Sequence, residues 1–143
     1  MLSLTCKTAI KAVIYLCSRT GLEEKPGIRE IAAAIDANEH TVGKFLQTLV
    51  KQGVIGSLKG PSGGFYISKE QQKLPIMSVI EAIDGDGFFT GCGLGLPNCS
   101  EKRPCPIHDE YKEGRALMER LFRTRRIVDL CQTVNEGRAW LTG

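Results

Sequence analysis

The sequence lacks any apolar run that approaches the roughly 20 residues a helix needs to cross a bilayer. Residues 1–20 follow a helical pattern that Lys7 and Lys11 interrupt, so they lack the apolar core of a signal peptide. No internal repeat and no low-complexity tract is visible. We therefore expect a cytoplasmic protein with no membrane partner.

The sequence also lacks a strong excess of charge of one sign. It contains 19 Lys/Arg and 16 Asp/Glu, which give a net charge of +3 in 143 residues. Residues 1–74 hold ten basic and six acidic side chains (+4), and residues 75–143 hold nine and ten (−1). This balance is too small to establish a nucleic-acid partner. It does indicate that a DNA-binding surface should be sought in the first half.

Three stretches of the first half carry apolar residues at helical spacing: residues 3–20, 27–35 and 39–52. A polar turn at residues 36–38 separates the last two, and Asn38 is a suitable N-cap for the third. Two short helices joined by a tight turn form a helix-turn-helix pattern, although a small helical bundle produces the same pattern.

A hairpin is predicted directly after the third helix. Residues 54–58 and 65–67 are typical of short strands, and the turn Lys59-Gly60-Pro61-Ser62-Gly63-Gly64 lies between them. Glycines there allow positive φ and a close approach to phosphate or the minor groove. The order of elements favours a wing over an ordinary hairpin, so we interpret residues 1–84 as a winged helix-turn-helix DNA-binding domain.

The second half begins with a predicted helix at residues 74–84 and a Gly-, Pro- and Cys-rich loop at 85–108. A helix from residue 109 to about 135 then precedes a tail in which we expect Trp140 to cover the core. Such a long helix cannot bury its apolar stripe inside a small domain, so residues 109–143 are predicted to form a homodimer. The expected fold is mainly α, with a β-hairpin wing and a long C-terminal dimerisation helix.

Six cysteines divide into two groups. Cys6, Cys17 and Cys131 are scattered along predicted helices, where we expect small buried hydrophobic residues. The others lie close together in the loop, and disulfides rarely persist in a reducing compartment. That cluster is therefore interpreted as metal-binding or catalytic rather than as a structural disulfide.

The loop reads Cys92-x6-Cys99-x5-Cys105-x2-His108. Thiolates and imidazole suit iron–sulfur clusters, zinc or copper(I). Spacings of five and six favour a multi-iron cluster, since zinc ligands more often lie two to four residues apart. Zinc, a disulfide switch, and free thiols with a solvated histidine stay open as alternatives.

Nearly the whole chain resembles the Rrf2 type of bacterial regulators. The resemblance rests on the Leu4-Thr5 helix, the helix-turn-helix, the wing at 59–64, the Ala82-Ile83-Asp84-Gly85 helix end, the three-cysteine loop and the long helix. It implies a dimer with crossing long helices, wings in the minor groove, and an iron–sulfur cluster that controls DNA binding.

The same resemblance suggests the fourth ligand. IscR-like members use a histidine three residues after the last cysteine for a two-iron cluster, and His108 has that place. NsrR-like members use an aspartate from the partner's first helix for a four-iron cluster, but Cys6-Lys7-Thr8-Ala9 has no carboxylate here. We therefore expect a 2Fe-2S cluster on Cys92, Cys99, Cys105 and His108. A 4Fe-4S cluster, or Cys6 donated by the partner, stays open.

For DNA, the third helix should enter the major groove of a near-palindromic site. The expected contacts are Asn38, His40, Thr41 and Lys44 on that helix, and Lys59, Pro61, Ser62 and Gly63 on the wing. We expect a repressor that senses iron, redox state or nitric oxide. A small metal-dependent enzyme is the weaker hypothesis, because the sequence has no nucleotide fingerprint and no paired carboxylates beside the cysteines.

Overall fold

The computed structural model describes residues 1–22 and 25–143. Within them the helices are α1 (Leu4–Ser18), α2 (Ile28–Ala34), α3 (Glu39–Lys51), α4 (Lys69–Gln72), α5 (Met77–Ile83), α6 (Gly87–Thr90), α7 (His108–Thr124) and α8 (Ile127–Asn135). The strands β1 (Gly56–Leu58) and β2 (Gly64–Tyr66) form an antiparallel hairpin. This order confirms the predicted fold class, a mainly helical winged helix-turn-helix with a further helical segment. No helix in these two ranges is long and apolar enough to cross a membrane.

Helix α1 lies at the centre of the core. Helices α2, α3, α5 and α8 all pack against it. Its buried positions include Ala9, Ala12, Val13 and Leu16, as 3.6-residue periodicity requires. The small alanines allow neighbouring helices to approach closely, so the helix-turn-helix and the C-terminal part share one hydrophobic core.

Helices α2 and α3 form the helix-turn-helix. Asn38 begins α3 as its N-cap, because its side-chain oxygen accepts hydrogen bonds from the backbone N–H groups of His40 (2.9 Å) and Thr41 (3.2 Å). The inward face of α3 is buried as predicted, through Val42, Phe45, Leu46 and Leu49. The helix is therefore fixed by its core face, and its other face is left for solvent.

The wing hairpin pairs Gly56 with Tyr66 and Leu58 with Gly64. Gly60 has φ +105°, the conformation expected of a glycine in this turn. At Gly63 a Cβ would lie 2.1 Å from the carbonyl oxygen of Leu58, so a larger residue cannot fit without moving the backbone. The glycines are thus required by the turn itself.

The single long helix predicted for residues 109–135 is wrong in extent. Helix α7 ends at Thr124, and Arg125 is extended (φ −86°, ψ 121°) before α8 begins at Ile127. The break is caused by pairing with a distant segment. The backbone N–H of Ile76 donates to the carbonyl oxygen of Arg125, and the backbone N–H of Ile127 donates to the carbonyl oxygen of Leu74. Helix α8 then packs on α1 in the core rather than extending away from it.

Two smaller expectations for the second half also differ from the structure. Trp140 is 79% exposed and does not cover the core. The loop predicted at 85–108 contains the short helix α6, whose Phe89 is buried and contacts Phe122 of α7 edge-to-face at 6.0 Å. This aromatic contact anchors the start of the cysteine loop to α7.

Candidate metal centre and nucleic-acid interface

The cysteine loop, residues 91–107, runs from the end of α6 to the start of α7. Cys92 lies at its beginning, and His108 is the first residue of α7. Cys105 is buried, whereas Cys92 and Cys99 are half-buried. The N–H of His108 donates to the carbonyl oxygen of Cys105 (3.1 Å), which fixes the chain between the last cysteine and the histidine.

The loop brings the three predicted cysteine ligands together, and His108 at the start of α7 lies beside one of them. The Sγ atoms of Cys92, Cys99 and Cys105 lie within 4.8 Å of one another. Two contacts are shorter: Cys92 Sγ to Cys105 Sγ is 3.6 Å, and Cys99 Sγ to His108 Nδ1 is 3.2 Å. Two ligands held by one tetrahedral metal at about 2.3 Å each lie roughly 3.8 Å apart. The donor atoms are therefore spaced as metal ligands are.

The second ring nitrogen of His108 is also part of the site's environment. This Nε2 atom is buried and has no hydrogen-bond partner in the described part of the chain. A buried polar nitrogen without a partner costs free energy, so such atoms generally have a role. The donor chemistry and this nitrogen fit a bound metal or iron–sulfur cluster.

The thiols of the loop differ in acidity. Hydrogen bonds from the backbone N–H groups of Leu96 and Leu94 lower the pKa of Cys92 to about 7. Burial raises the pKa of Cys105. Because the thiolate is the form that binds metals and reacts with oxidants, Cys92 is prepared for either chemistry near neutral pH.

The three loop cysteines and His108 line one pocket, called here the cysteine pocket. Two residues of α7 that the sequence does not point to, Tyr111 and Arg115, line it as well. The Tyr111 ring covers Gly93 so closely that a Cβ there would lie 2.7 Å from the ring. The Arg115 guanidinium lies 5.6 Å from that ring and donates to the carbonyl oxygen of Gly91. Their spacing from His108, three and seven residues, is the signal that could have identified them.

The three other cysteines are buried, as predicted. Burial and the nearby Asp84 carboxylate raise the pKa of Cys6 to about 12. Burial beside Cys131 raises that of Cys17 to about 12 as well. Cys6 lies in the core of its own chain, so the structure does not favour it as a ligand for a partner subunit.

The predicted DNA contacts lie on one helix and one turn. His40 and Lys44 are exposed on α3, and Thr41 is half-exposed. Asn38 is exposed, but its oxygen is already used by the cap. On the wing, Lys59, Pro61 and Ser62 are exposed, whereas Gly63 is half-buried and serves the turn.

Arg29 was missed by the sequence analysis. It is on α2 with its side chain 89% exposed, and its Nε lies 3.5 Å from the Glu39 carboxylate at the start of α3. Such an exposed ion pair adds little stability. It does place a cation beside the N-terminus of α3, where it offsets the negative charge of Glu39.

Comparisons with known proteins show which family and which fold the chain is similar to. Residues 2–133 match the model of the family Rrf2, described as an iron-dependent transcriptional regulator. The HTH-type transcriptional regulator NsrR of Geobacillus kaustophilus is 36% identical over 125 residues, which cover 87% of this chain and 84% of that protein. That relative is named as a regulator, in agreement with the expectation that the chain is not an enzyme.

Two solved structures share the fold. CymR, the global cysteine regulator of B. subtilis, superposes with a TM-score of 0.74 at 17% identity, covering 92% of this chain and 96% of CymR. IscR of T. potens gives a TM-score of 0.75 at 16% identity, covering 97% of this chain and 91% of that one. At such identities the likeness concerns the fold alone.

Proposed function

Because the chain belongs to the Rrf2 family of iron-dependent, DNA-binding transcriptional regulators, we propose that it is a homodimeric repressor whose DNA affinity is controlled by an iron–sulfur cluster. Cys92, Cys99, Cys105 and His108 hold the cluster, of the two-iron type. The observation that carries this proposal is the convergence of three thiols within 4.8 Å, with His108 Nδ1 3.2 Å from Cys99 Sγ.

The donor set supports an iron–sulfur site, because thiolates and imidazole are ligands that such clusters take. The short contacts join Cys92 to Cys105 and Cys99 to His108, so these four residues would hold the cluster between the loop and the start of α7. When bound, the cluster supplies an iron centre that responds to redox state, iron supply or nitric oxide. The chain supplies the geometry: α6 and α7 hold the two ends of the loop.

Helix α7 presents a surface suited to a second copy of the chain. None of its residues is fully buried, and Leu117 (62%), Met118 (39%) and Leu121 (47%) are exposed. With about 3.6 residues per turn, Leu117 and Leu121 lie on the side of α7 opposite His108. Exposed leucines at this spacing support pairing of the two helices, which hides them from water.

DNA is contacted by α3 and the wing. The residues we assign are Asn38, His40, Thr41 and Lys44, with Lys59, Pro61, Ser62 and Gly63. The N-terminal part of α3 meets base edges in the major groove, and the wing meets the backbone or minor groove. Two such units in a dimer read half-sites about one helical turn or a multiple apart, on a near-palindromic duplex.

A change at the cluster site can reach the DNA-binding helices through α7. The two faces of α7 touch the cysteine loop and the dimer partner, and the segment after α7 is hydrogen-bonded to Leu74 and Ile76. Release of the ligands frees the loop from α7 and so alters the separation of the two α3 helices. A tenfold change in DNA affinity needs only about 1.4 kcal/mol of coupling.

The test is an anaerobic preparation whose visible absorption, iron and acid-labile sulfide are measured per chain. The proposal predicts a coloured protein with both elements, lost in Cys99→Ala. The matched control is Cys17→Ala, a cysteine on α1 outside the loop, which should retain them. Colourless protein after reconstitution would contradict the cluster.

A second candidate, a zinc or thiol switch on the same DNA-binding dimer, is favoured by one observation. The 3.6 Å between Cys92 and Cys105 sulfurs is short enough for a disulfide to form with modest movement. Zinc without sulfide in the purified protein, or loss of two titratable thiols on mild oxidation, would support this candidate over the cluster.

A further inference from the structure

Arg115 is the one cation described in the wall of the cysteine pocket, which it lines together with the three cysteines and His108. Its Nη1 donates to the carbonyl oxygen of Gly91, the residue before Cys92. Its Nε atom is buried and has no hydrogen-bond partner in the described ranges, 1–22 and 25–143. Arg115 therefore has one N–H group held by the Gly91 carbonyl oxygen and a second, buried N–H group without an acceptor.

A buried, unpaired guanidinium N–H is costly, because the charged group has lost water without gaining an acceptor. The pocket contains the groups that would compensate it. Three thiolates and a neutral imidazole around a two-iron core leave a net negative site, and one-electron reduction makes it more negative. Sulfur atoms of such a site accept hydrogen bonds, and those bonds raise the reduction potential.

We propose that Arg115 is a positioning residue of the cluster site, whose Nε–H donates to a sulfur of the bound cluster or its thiolates while Nη1 holds the Gly91–Cys92 segment. The inference rests on the function proposed above. Arg115 favours the reduced cluster, because its positive charge offsets the added electron. The step is one-electron reduction by a low-potential donor such as a viologen dye; no bond breaks, and the guanidinium keeps its protons.

The planar fork of arginine is needed for this double role. A guanidinium presents several N–H groups in fixed directions, so one face can meet a carbonyl and another a sulfur. Lysine keeps the charge but concentrates its donors at one point. Arg115→Lys should therefore retain part of the electrostatic effect, and Arg115→Gln should retain neither the charge nor the geometry.

Arg120→Gln is the matched control, because Arg120 is exposed on the same helix and its loss removes the same charge. All proteins are reconstituted anaerobically, and iron and sulfide are measured before potentiometric titration and electron paramagnetic resonance of the reduced state. We expect Arg115→Gln to have a lower reduction potential and altered g-values, Arg115→Lys to be intermediate, and Arg120→Gln to match wild type.

Arg115→Gln with full iron and sulfide and a wild-type potential would overturn the inference while leaving the proposed function intact. If Arg115→Gln cannot retain the cluster, the test passes to Arg115→Lys. A reduction potential or resonance spectrum that differs from wild type supports the role of Arg115, and a potential and spectrum equal to wild type overturn it. Wild-type protein that binds no iron and sulfide would overturn the proposed function, and this inference with it.

Discussion

The Nδ1 atom of His108 lies 3.2 Å from the Sγ atom of Cys99, although nine positions separate the two residues in sequence. The contact joins the first residue of α7 to the middle of the cysteine loop. It makes the start of this helix part of the proposed metal site, so a change at the site acts directly on α7.

His108→Ala is expected to lower iron and sulfide retention several-fold, because one of four ligands is lost. His108→Cys should restore retention with a changed visible spectrum, since a thiolate replaces the imidazole. The control is His40→Ala, which removes the chain's other histidine from the exposed face of α3. Equal retention in His108→Ala and wild type would remove His108 from the ligand set.

Leu121→Glu is expected to weaken the dimer, because a carboxylate on the apolar face of α7 would be buried at the interface. Analytical ultracentrifugation should show a monomer at concentrations where wild type is dimeric, and DNA affinity should fall about tenfold or more as bivalency is lost. Leu22→Glu, at another leucine that is 52% exposed, should stay dimeric. A dimer unaffected by Leu121→Glu would place the interface elsewhere.

Lys59→Ala is expected to weaken DNA binding and to reduce the slope of log affinity against log salt by about 1, because one phosphate contact is lost. Fluorescence anisotropy over a salt series measures both quantities. Lys69→Ala, an exposed lysine on α4, should leave the slope unchanged. The assignment of the wing fails if the two variants behave alike.

Asn38→Ala is expected to destabilise the protein by about 1 kcal/mol, because the caps to His40 and Thr41 are lost. Asn38→Asp keeps a capping oxygen, so its free energy of unfolding should stay near wild type while phosphate repulsion lowers DNA affinity. Urea denaturation and anisotropy separate the two effects. If Asn38→Asp is stable and binds DNA with wild-type affinity, Asn38 acts only as the N-cap of α3 and does not contact DNA.

In cluster-free protein, alkylation should be fastest at Cys92. Its pKa of about 7 makes the thiolate abundant at neutral pH, so the rate should fall as pH drops below 7 and level off above it. Cys6 and Cys17, buried and with pKa values raised to about 12, should react only on unfolding. Peptide mapping after brief iodoacetamide treatment gives the order of labelling.

The sequence predicts the parts of this molecule that local patterns control. Apolar spacing identifies α3 and its buried face, and the cap at Asn38 and the glycine-rich wing turn follow from backbone chemistry. The three loop cysteines are evident from composition and spacing alone. These features need no knowledge of distant contacts.

The remaining features depend on contacts between distant segments. The break between α7 and α8 carries no Pro or Gly, and it exists because Arg125 and Ile127 pair with residues 74–76. Arg115 and Tyr111 become part of the site only when the loop folds back on α7. Helical spacing from His108 indicates their face, but not what lies against it.

The most direct test of the central claim is the affinity of one protein preparation for its operator duplex, measured anaerobically before and after removal of the cluster. The duplex is first selected from a random pool, and Cys99→Ala serves as the permanently cluster-free form. If the cluster controls DNA binding, affinity differs at least about tenfold between the two states, and Cys99→Ala matches the cluster-free wild type. Equal affinity in all three samples would contradict control of DNA binding by the cluster.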